Sequence, residues 1–128
     1  YGEAYDEAYE KAVELQKSEG YTFVHPFDDE DVMEGQGTIA LEIMEELPDV
    51  DYILVPIGGG GLISGIACAA KQINPSVKIV GVEPEGAASA LAAVEDDQLV
   101  KLSEVSTIAD GTAEKLHLNI LKNMLMKS

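Results

Sequence analysis

Four consecutive glycines, Gly58 to Gly61, stand between an apolar, β-rich stretch, Tyr52 to Ile57, and an apolar helical stretch that begins at Leu62. A glycine loses more backbone entropy on folding than any other residue. A block of them therefore marks a need for positive φ angles, or for main-chain amides to meet a ligand with no side chain between. A strand that runs through glycines into a helix N-terminus is suited to holding an anion. The free N–H groups of the first helical turn, the helix macrodipole and the loop amides all direct positive charge at one spot. A tight turn with no ligand would need only one or two glycines.

Spacing narrows the anion. The nucleoside-triphosphate loop ends in Gly-Lys-Ser/Thr, whereas Gly65 is followed by Ile66 and Ala67, which excludes it. A dinucleotide is the runner-up, because Glu83 closes the next strand about twenty residues on, where a ribose-binding carboxylate would stand. Its third glycine is missing: counted from Gly59 that position is Ser64, and from Gly58 it is Ile63. Ser64 is not a hydrolase nucleophile elbow either, since Leu62 stands two residues before it. The acidic run Asp28-Asp29-Glu30-Asp31 fails as a calcium loop: counted from Asp29, the sixth position is Glu34 rather than glycine and the twelfth is Ala40.

At 128 residues the chain is one ordinary domain, and 46% hydrophobic with only 5% aromatic composition predicts an aliphatic interior. The net charge is −16, from 24 acidic residues against 8 lysines, with no arginine. This argues against nucleic acid and anionic membrane as partners. It also leaves no guanidinium fork for a carboxylate or phosphate, so anion binding falls to backbone amides or lysines. Cys68, the single cysteine, forms no intrachain disulfide and reads as a small core residue. With no signal peptide and no apolar run of membrane-spanning length, the expected location is cytoplasmic.

The elements that must position the loop alternate. Residues Glu3 to Glu19 predict a helix through Ala4, Ala8, Ala12 and Leu15, ended by Gly20. Tyr21 to His25 predicts a short strand. A helix from Asp31 or Glu34 to Leu47 follows, with Ile39, Ile43 and Leu47 on its apolar stripe and Pro48 stopping it. Then come the strand Tyr52 to Ile57, a helix from Leu62 to about Ile73 stopped by Asn74-Pro75, and a strand Lys78 to Val82. Ala87 to Val94 reads as helix, Val100 to Leu102 as a short strand and Ala113 to Met126 as an amphipathic helix. Strand and helix alternating without hairpin signals imply an α/β fold with parallel strands and right-handed crossovers. Ligands then gather at the carboxyl ends of the strands, where the glycines are.

Four segments in this order resemble a known family: Phe23-Val24-His25-Pro26-Phe27-Asp28-Asp29, Gly35-Gln36-Gly37-Thr38-Ile39-Ala40-Leu41-Glu42, Val55 through Gly65, and Gly81-Val82-Glu83-Pro84. Together they look like threonine ammonia-lyase, also called threonine dehydratase, with serine racemase among similar relatives. The resemblance implies the fold of tryptophan synthase β and the other fold type II pyridoxal phosphate enzymes: a three-layer α/β sandwich with a mostly parallel sheet, of which this chain is part of the large domain. It implies a β-elimination that turns L-threonine or L-serine into a 2-oxo acid and ammonia. In the family a lysine holds the cofactor as a Schiff base, and the pyridine ring stabilises the negative charge left when the α-proton departs. By position, Gly58, Gly59, Gly60, Gly61 and Leu62 would bind the cofactor phosphate through their amides, and Gly111 would lie near the cofactor ring. Glu83, the carbonyl of Ala87 and Ser89 match positions that hold a monovalent or divalent cation in some members. Ser89 stands where racemase-like members have aspartate, and Glu83 reads equally as a strand-end carboxylate that caps a loop.

The resemblance implies three parts: helix 1–20 from a preceding region, a phosphate-binding core over 21–111, and a divergent C-terminal helix over 112–128. It covers roughly a third of the family's length. None of Lys11, Lys17, Lys71, Lys78, Lys101, Lys115, Lys122 or Lys127 has the Ser-Phe-Lys-x-Arg-Gly setting of the Schiff-base lysine. The Ser-x-Gly-Asn-His motif that contacts the ring is also absent, as is the late serine or cysteine that meets the pyridine nitrogen. The expectation is therefore a chain with no catalytic residue of its own, inactive alone, which binds the remainder of the enzyme or self-associates through uncovered apolar faces. His25 and His117 read as structural. The alternative is a stand-alone phosphate- or dinucleotide-binding α/β module without catalysis.

Overall fold

The structure is a computed structural model that describes residues 1–2, 5–96, 98, 100, 102 and 105–113. The first helix, α1, spans Tyr5–Glu19. It ends where Gly20 adopts φ 72° and donates its N–H to the Gln16 carbonyl at 3.0 Å, the left-handed stop its sequence position predicts. The expected start at Glu3 lies outside the described residues.

Tyr21 to His25 is irregular, not the strand its β-prone residues predict. No described strand pairs with it, and its aromatic side chains pack on α1 instead. Phe23 meets Tyr9 edge-on with ring centroids 5.5 Å apart, while Tyr21 and Val24 remain exposed.

Helix α2 spans Glu30–Glu46. Asp29 caps it, its Oδ1 accepting from the amides of Asp31 at 3.0 Å and Val32 at 3.3 Å. Its buried residues are Gly37, Ala40 and Met44. The predicted stripe is displaced: Ile39 and Leu47 are exposed, and only Ile43 is partly buried against the core. The cause is the next helix. Helix α3, Gly61–Ile73, packs on α2 so closely that a Cβ on Gly37 would lie 3.2 Å from the Gly65 carbonyl oxygen, and one on Gly65 would strike the Met33 carbonyl. Near-contact of two helix backbones selects the smallest residues for the buried face, not the largest.

Strands β1, Tyr52–Pro56, and β2, Lys78–Val82, pair in parallel, Tyr52 opposite Lys78 and Pro56 opposite Val82. The Ile57 amide extends the ladder to the Val82 carbonyl at 2.9 Å. Helix α3 connects the strands and contacts both, which is the crossover unit the alternation predicts. Ile53 and Val55 of β1 enter one core with Ile63, Ile66 and Ala70 of α3, Met44 of α2, and Val77. Burial of each such aliphatic side chain contributes about 1.5–3 kcal/mol. Tyr52, Leu54, Val80 and Val82 face away from that core and are exposed. Parallel strands are normally covered on both faces.

After β2 a 3₁₀ turn, Glu85–Ala87, leads into α4, Ser89–Asp96, so the predicted single helix from Ala87 is a turn and a helix in succession. Val100 and Leu102 lie in no strand, because no described strand is placed beside them. The predicted helix from Ala113 to Met126 falls outside the described residues beyond Ala113, which follows a 3₁₀ turn at Asp110–Thr112.

Candidate functional site: a main-chain cradle at the end of β1

The strand β1 delivers the chain to Ile57, which is buried, and the glycines follow at the carboxyl edge of the sheet. Gly60 is the N-cap of α3 with φ 94°, a left-handed conformation that a side chain would strain. Its neighbours are glycine for a different reason. A Cβ on Gly61 would lie 2.6 Å from the Phe27 carbonyl oxygen, and one on Gly59 would enter the Phe27 ring. On the other side, a Cβ on Gly58 would lie 3.0 Å from the Gly111 carbonyl oxygen and 3.2 Å from Thr112 Cα. The loop is thus walled by Phe27 and by Gly111–Thr112. Gly58 and Gly111, more than fifty positions apart in sequence, are brought into contact.

No side chain caps α3, and its first turn carries no acidic residue. The first turn of an α-helix leaves amides with no intrahelical acceptor, and here these belong to Gly61, Leu62 and Ile63. Their partial positive charge is unanswered by any described side chain, so an anion approaching over the glycines meets bare N–H groups and the macrodipole.

The second candidate group lies at the end of β2. The Glu83 carboxylate reaches the start of α4, Oε1 accepting from the Ala90 amide at 2.8 Å and Oε2 from the Leu91 amide at 2.9 Å. Ser89 and Ala87 are both 2% exposed and form the turn between. Glu83 is therefore engaged as a helix cap on both oxygens. Among the described residues no three His, Cys, Asp or Glu side chains cluster in a way that would hold a metal ion.

The described lysines with resolved partners are occupied away from the cradle. Lys11 Nζ donates to Glu14 at 2.8 Å, a bond that raises its pKa above the ordinary value. Lys71 Nζ donates to the Pro75 carbonyl at 3.2 Å, at the far end of α3. Lys78 Nζ donates to the Tyr52 hydroxyl at 3.1 Å, at the edge of the sheet opposite the glycines. Lys101, Lys115, Lys122, Lys127 and His117 lie outside the described residues. Cys68 is half-buried rather than fully buried, beside Gln72 on α3. No described helix is long and apolar enough to cross a membrane.

Phe27 is the residue whose place at the loop the sequence did not announce. It is 8% exposed, and its backbone and ring press on Gly61 and Gly59. The available signal was two facts with no visible link: an aromatic after His25-Pro26, and glycines in excess of what a turn needs.

Comparison with known proteins agrees with this geometry. The family model described as pyridoxal-phosphate dependent enzyme matches residues 1–126. The chain is 50% identical to the L-threonine ammonia-lyase of Thermotoga maritima over 114 residues, which are 89% of this chain and 28% of that protein. It is 54% identical to the L-threonine ammonia-lyase of Geobacter sulfurreducens over the same shares. Among solved structures, the processed form of threonine deaminase isoform 2 from Solanum lycopersicum superposes with TM-score 0.89 at 45% identity, covering 96% of this chain and 34% of that one. Maize serine racemase superposes with TM-score 0.88 at 37% identity, covering 94% and 36%. The chain therefore spans roughly a third of the proteins it matches, in an α/β fold shared with them. A cradle of bare amides at a helix N-terminus and a match along nearly the whole chain lead to one conclusion: the chain belongs to the family of pyridoxal-phosphate dependent enzymes.

Proposed function

We propose that this chain is the cofactor-phosphate-binding part of a lyase that deaminates L-threonine, or L-serine, by β-elimination to a 2-oxo acid and ammonia. The observation that carries the reading is the uncapped start of α3, behind four glycines whose Cβ positions are taken by Phe27 and Gly111–Thr112 or barred by a positive φ. Pyridoxal phosphate fits such a site. Its phosphate is an anion that hydrogen-bonds to main-chain amides, and this chain has no arginine to offer instead. When bound, the cofactor supplies the electron sink for α-proton removal. The chain's own part is to hold and orient: the amides of Gly58 to Leu62 grip the phosphate, and Gly111, in contact with Gly58, borders the ring's side of the loop.

The phosphate-binding core is residues 21–111, with α1 laid on it through the aromatic contacts of Tyr5 and Tyr9. The covalent lysine is assigned to sequence outside these residues because none of the eight lysines here has the family's Schiff-base setting; the engagement of Lys11, Lys71 and Lys78 elsewhere supports this. The 128 residues alone are then inactive, and the exposed apolar face of Tyr52, Leu54, Val80 and Val82 is where the remainder of the enzyme packs. For Glu83 we favour the capping role over a cation site, because both oxygens accept α4 amides and Ser89 offers a neutral hydroxyl.

The test is a titration of the isolated chain and of the full-length protein with pyridoxal phosphate, inorganic phosphate as competitor, followed by borohydride reduction. The isolated chain is expected to bind the cofactor in a phosphate-sensitive way without a reducible adduct, and the full-length protein to form one. Threonine turnover, or a stoichiometric adduct, on the isolated chain would refute the division of labour. Binding indifferent to phosphate would refute the cradle.

A further inference from the structure

An imidazole nitrogen closes the turn that places Phe27 against the glycines. His25 Nδ1 accepts the Asp28 amide at 2.9 Å and the Phe27 amide at 3.3 Å, which closes the bend around Pro26. The imidazole ring also meets the Phe27 ring edge-on, centroids 4.8 Å apart at 89°. A ring that accepts at Nδ1 carries its proton on Nε2, so the neutral tautomer is set by these two bonds. Phe27 in turn fills the space beside the cradle: its carbonyl and Cα would lie 2.6 and 2.8 Å from a Cβ on Gly61, the first residue of α3. A displacement of the His25–Asp28 bend thus presses on, or withdraws from, the residue whose amide leads the first turn of α3.

We propose that His25 is a positioning residue for the phosphate cradle: its Nδ1 fixes the Phe27–Asp28 turn, and Phe27 fixes the spacing of the Gly59 to Gly61 amides. This rests on reading the glycine loop as the seat of the cofactor phosphate. The role assigned to His25 is indirect, through Phe27. Its contribution is that the amides are held at one spacing before the anion arrives, so binding does not have to order them.

Two variants of the full-length protein separate this from general packing. In His25→Asn the side-chain oxygen stands at the position of Nδ1 and can accept the same two amides; in His25→Gln the oxygen stands one bond further out. Affinities for pyridoxal phosphate and for pyridoxal are measured by fluorescence titration, and the change in their ratio between variants reads the phosphate's contribution, because the cyclic hemiacetal of free pyridoxal is common to all. The wild type is expected to prefer the phosphorylated form by about 100-fold, the Asn variant to stay within about 3-fold of that ratio, and the Gln variant to lose about 10-fold of it. A wild type without the preference would overturn the cradle reading and this proposal together. A wild-type preference that Gln leaves intact, or that Asn and Gln reduce equally, would overturn the proposal alone. Loss of the fold in either variant, read by circular dichroism, would also overturn it, because the proposed effect is confined to the loop.

Discussion

The two strand-to-helix junctions of the described sheet sit side by side and are finished in opposite ways. At the end of β2, α4 has its first amides satisfied from within, by both oxygens of Glu83. At the end of β1, α3 has no side-chain cap and no acid in its first turn. Helix α2 is closed by Asp29 like any ordinary helix. With glycine at the N-cap the missing side-chain cap costs only a few tenths of a kcal/mol, and four glycines add backbone entropy to that cost. The chain bears both at one junction, and that junction faces the side of the sheet where parallel folds bind ligands. On the function proposed above, the stability forgone at α3 is returned when an anion occupies the amides.

The harshest way to break the contrast is to fill the cradle. Gly61→Val places a Cβ 2.6 Å from the Phe27 carbonyl oxygen. It is expected to lower stability by about 2–3 kcal/mol in denaturant titration and to abolish phosphate-sensitive cofactor binding. Making the β1 junction resemble the β2 junction comes next. Gly60→Asp brings a carboxylate to the start of α3, and aspartate bears the left-handed φ of 94° with less strain than most residues. Affinity for pyridoxal phosphate should fall about 30-fold or more, with affinity for pyridoxal nearly unchanged.

The reverse change sharpens the comparison from the other side. Glu83→Ala uncaps α4 and should cost about 1–2 kcal/mol in stability while leaving cofactor affinity within about 3-fold. Last and smallest, with Glu83 acting as the proposed helix cap, treatment with a chelator of divalent cations should leave the melting temperature where it is. A fall of several degrees on chelation, reversed by adding a cation, would return Glu83, Ala87 and Ser89 to the cation reading.

What was legible in the sequence follows from where backbone geometry alone decides. Lys78 to Val82 is a strand with the predicted bounds, and α3 stops at Asn74-Pro75 as predicted, because proline and glycine act locally. Gly20 ends α1 for the same reason. The misplaced stripe on α2 depended on a partner: large aliphatic residues were expected inside, and Gly37 and Ala40 are inside because α3 comes too close for anything larger. Tyr21 to His25 has strand composition without a neighbouring strand, so aromatic packing on α1 took its place. The glycine loop was legible as the junction between β1 and α3, because glycine takes the positive φ of Gly60 and the close approaches of its neighbours. Phe27 and Gly111 were brought to it by tertiary contact: family resemblance set Gly111 near the cofactor ring and did not foresee its approach to Gly58, and Phe27 was not foreseen as a wall of the loop.

The most direct test of the uncapped junction is the amide chemical shifts of the 15N-labelled protein as pyridoxal phosphate, and then inorganic phosphate, is added. The account predicts that Gly60, Gly61 and Leu62 shift with either ligand while Ala90 and Leu91, held by Glu83, do not. Shifts at Ala90 and Leu91 with the glycine amides unmoved would place the anion at the other junction and contradict the account.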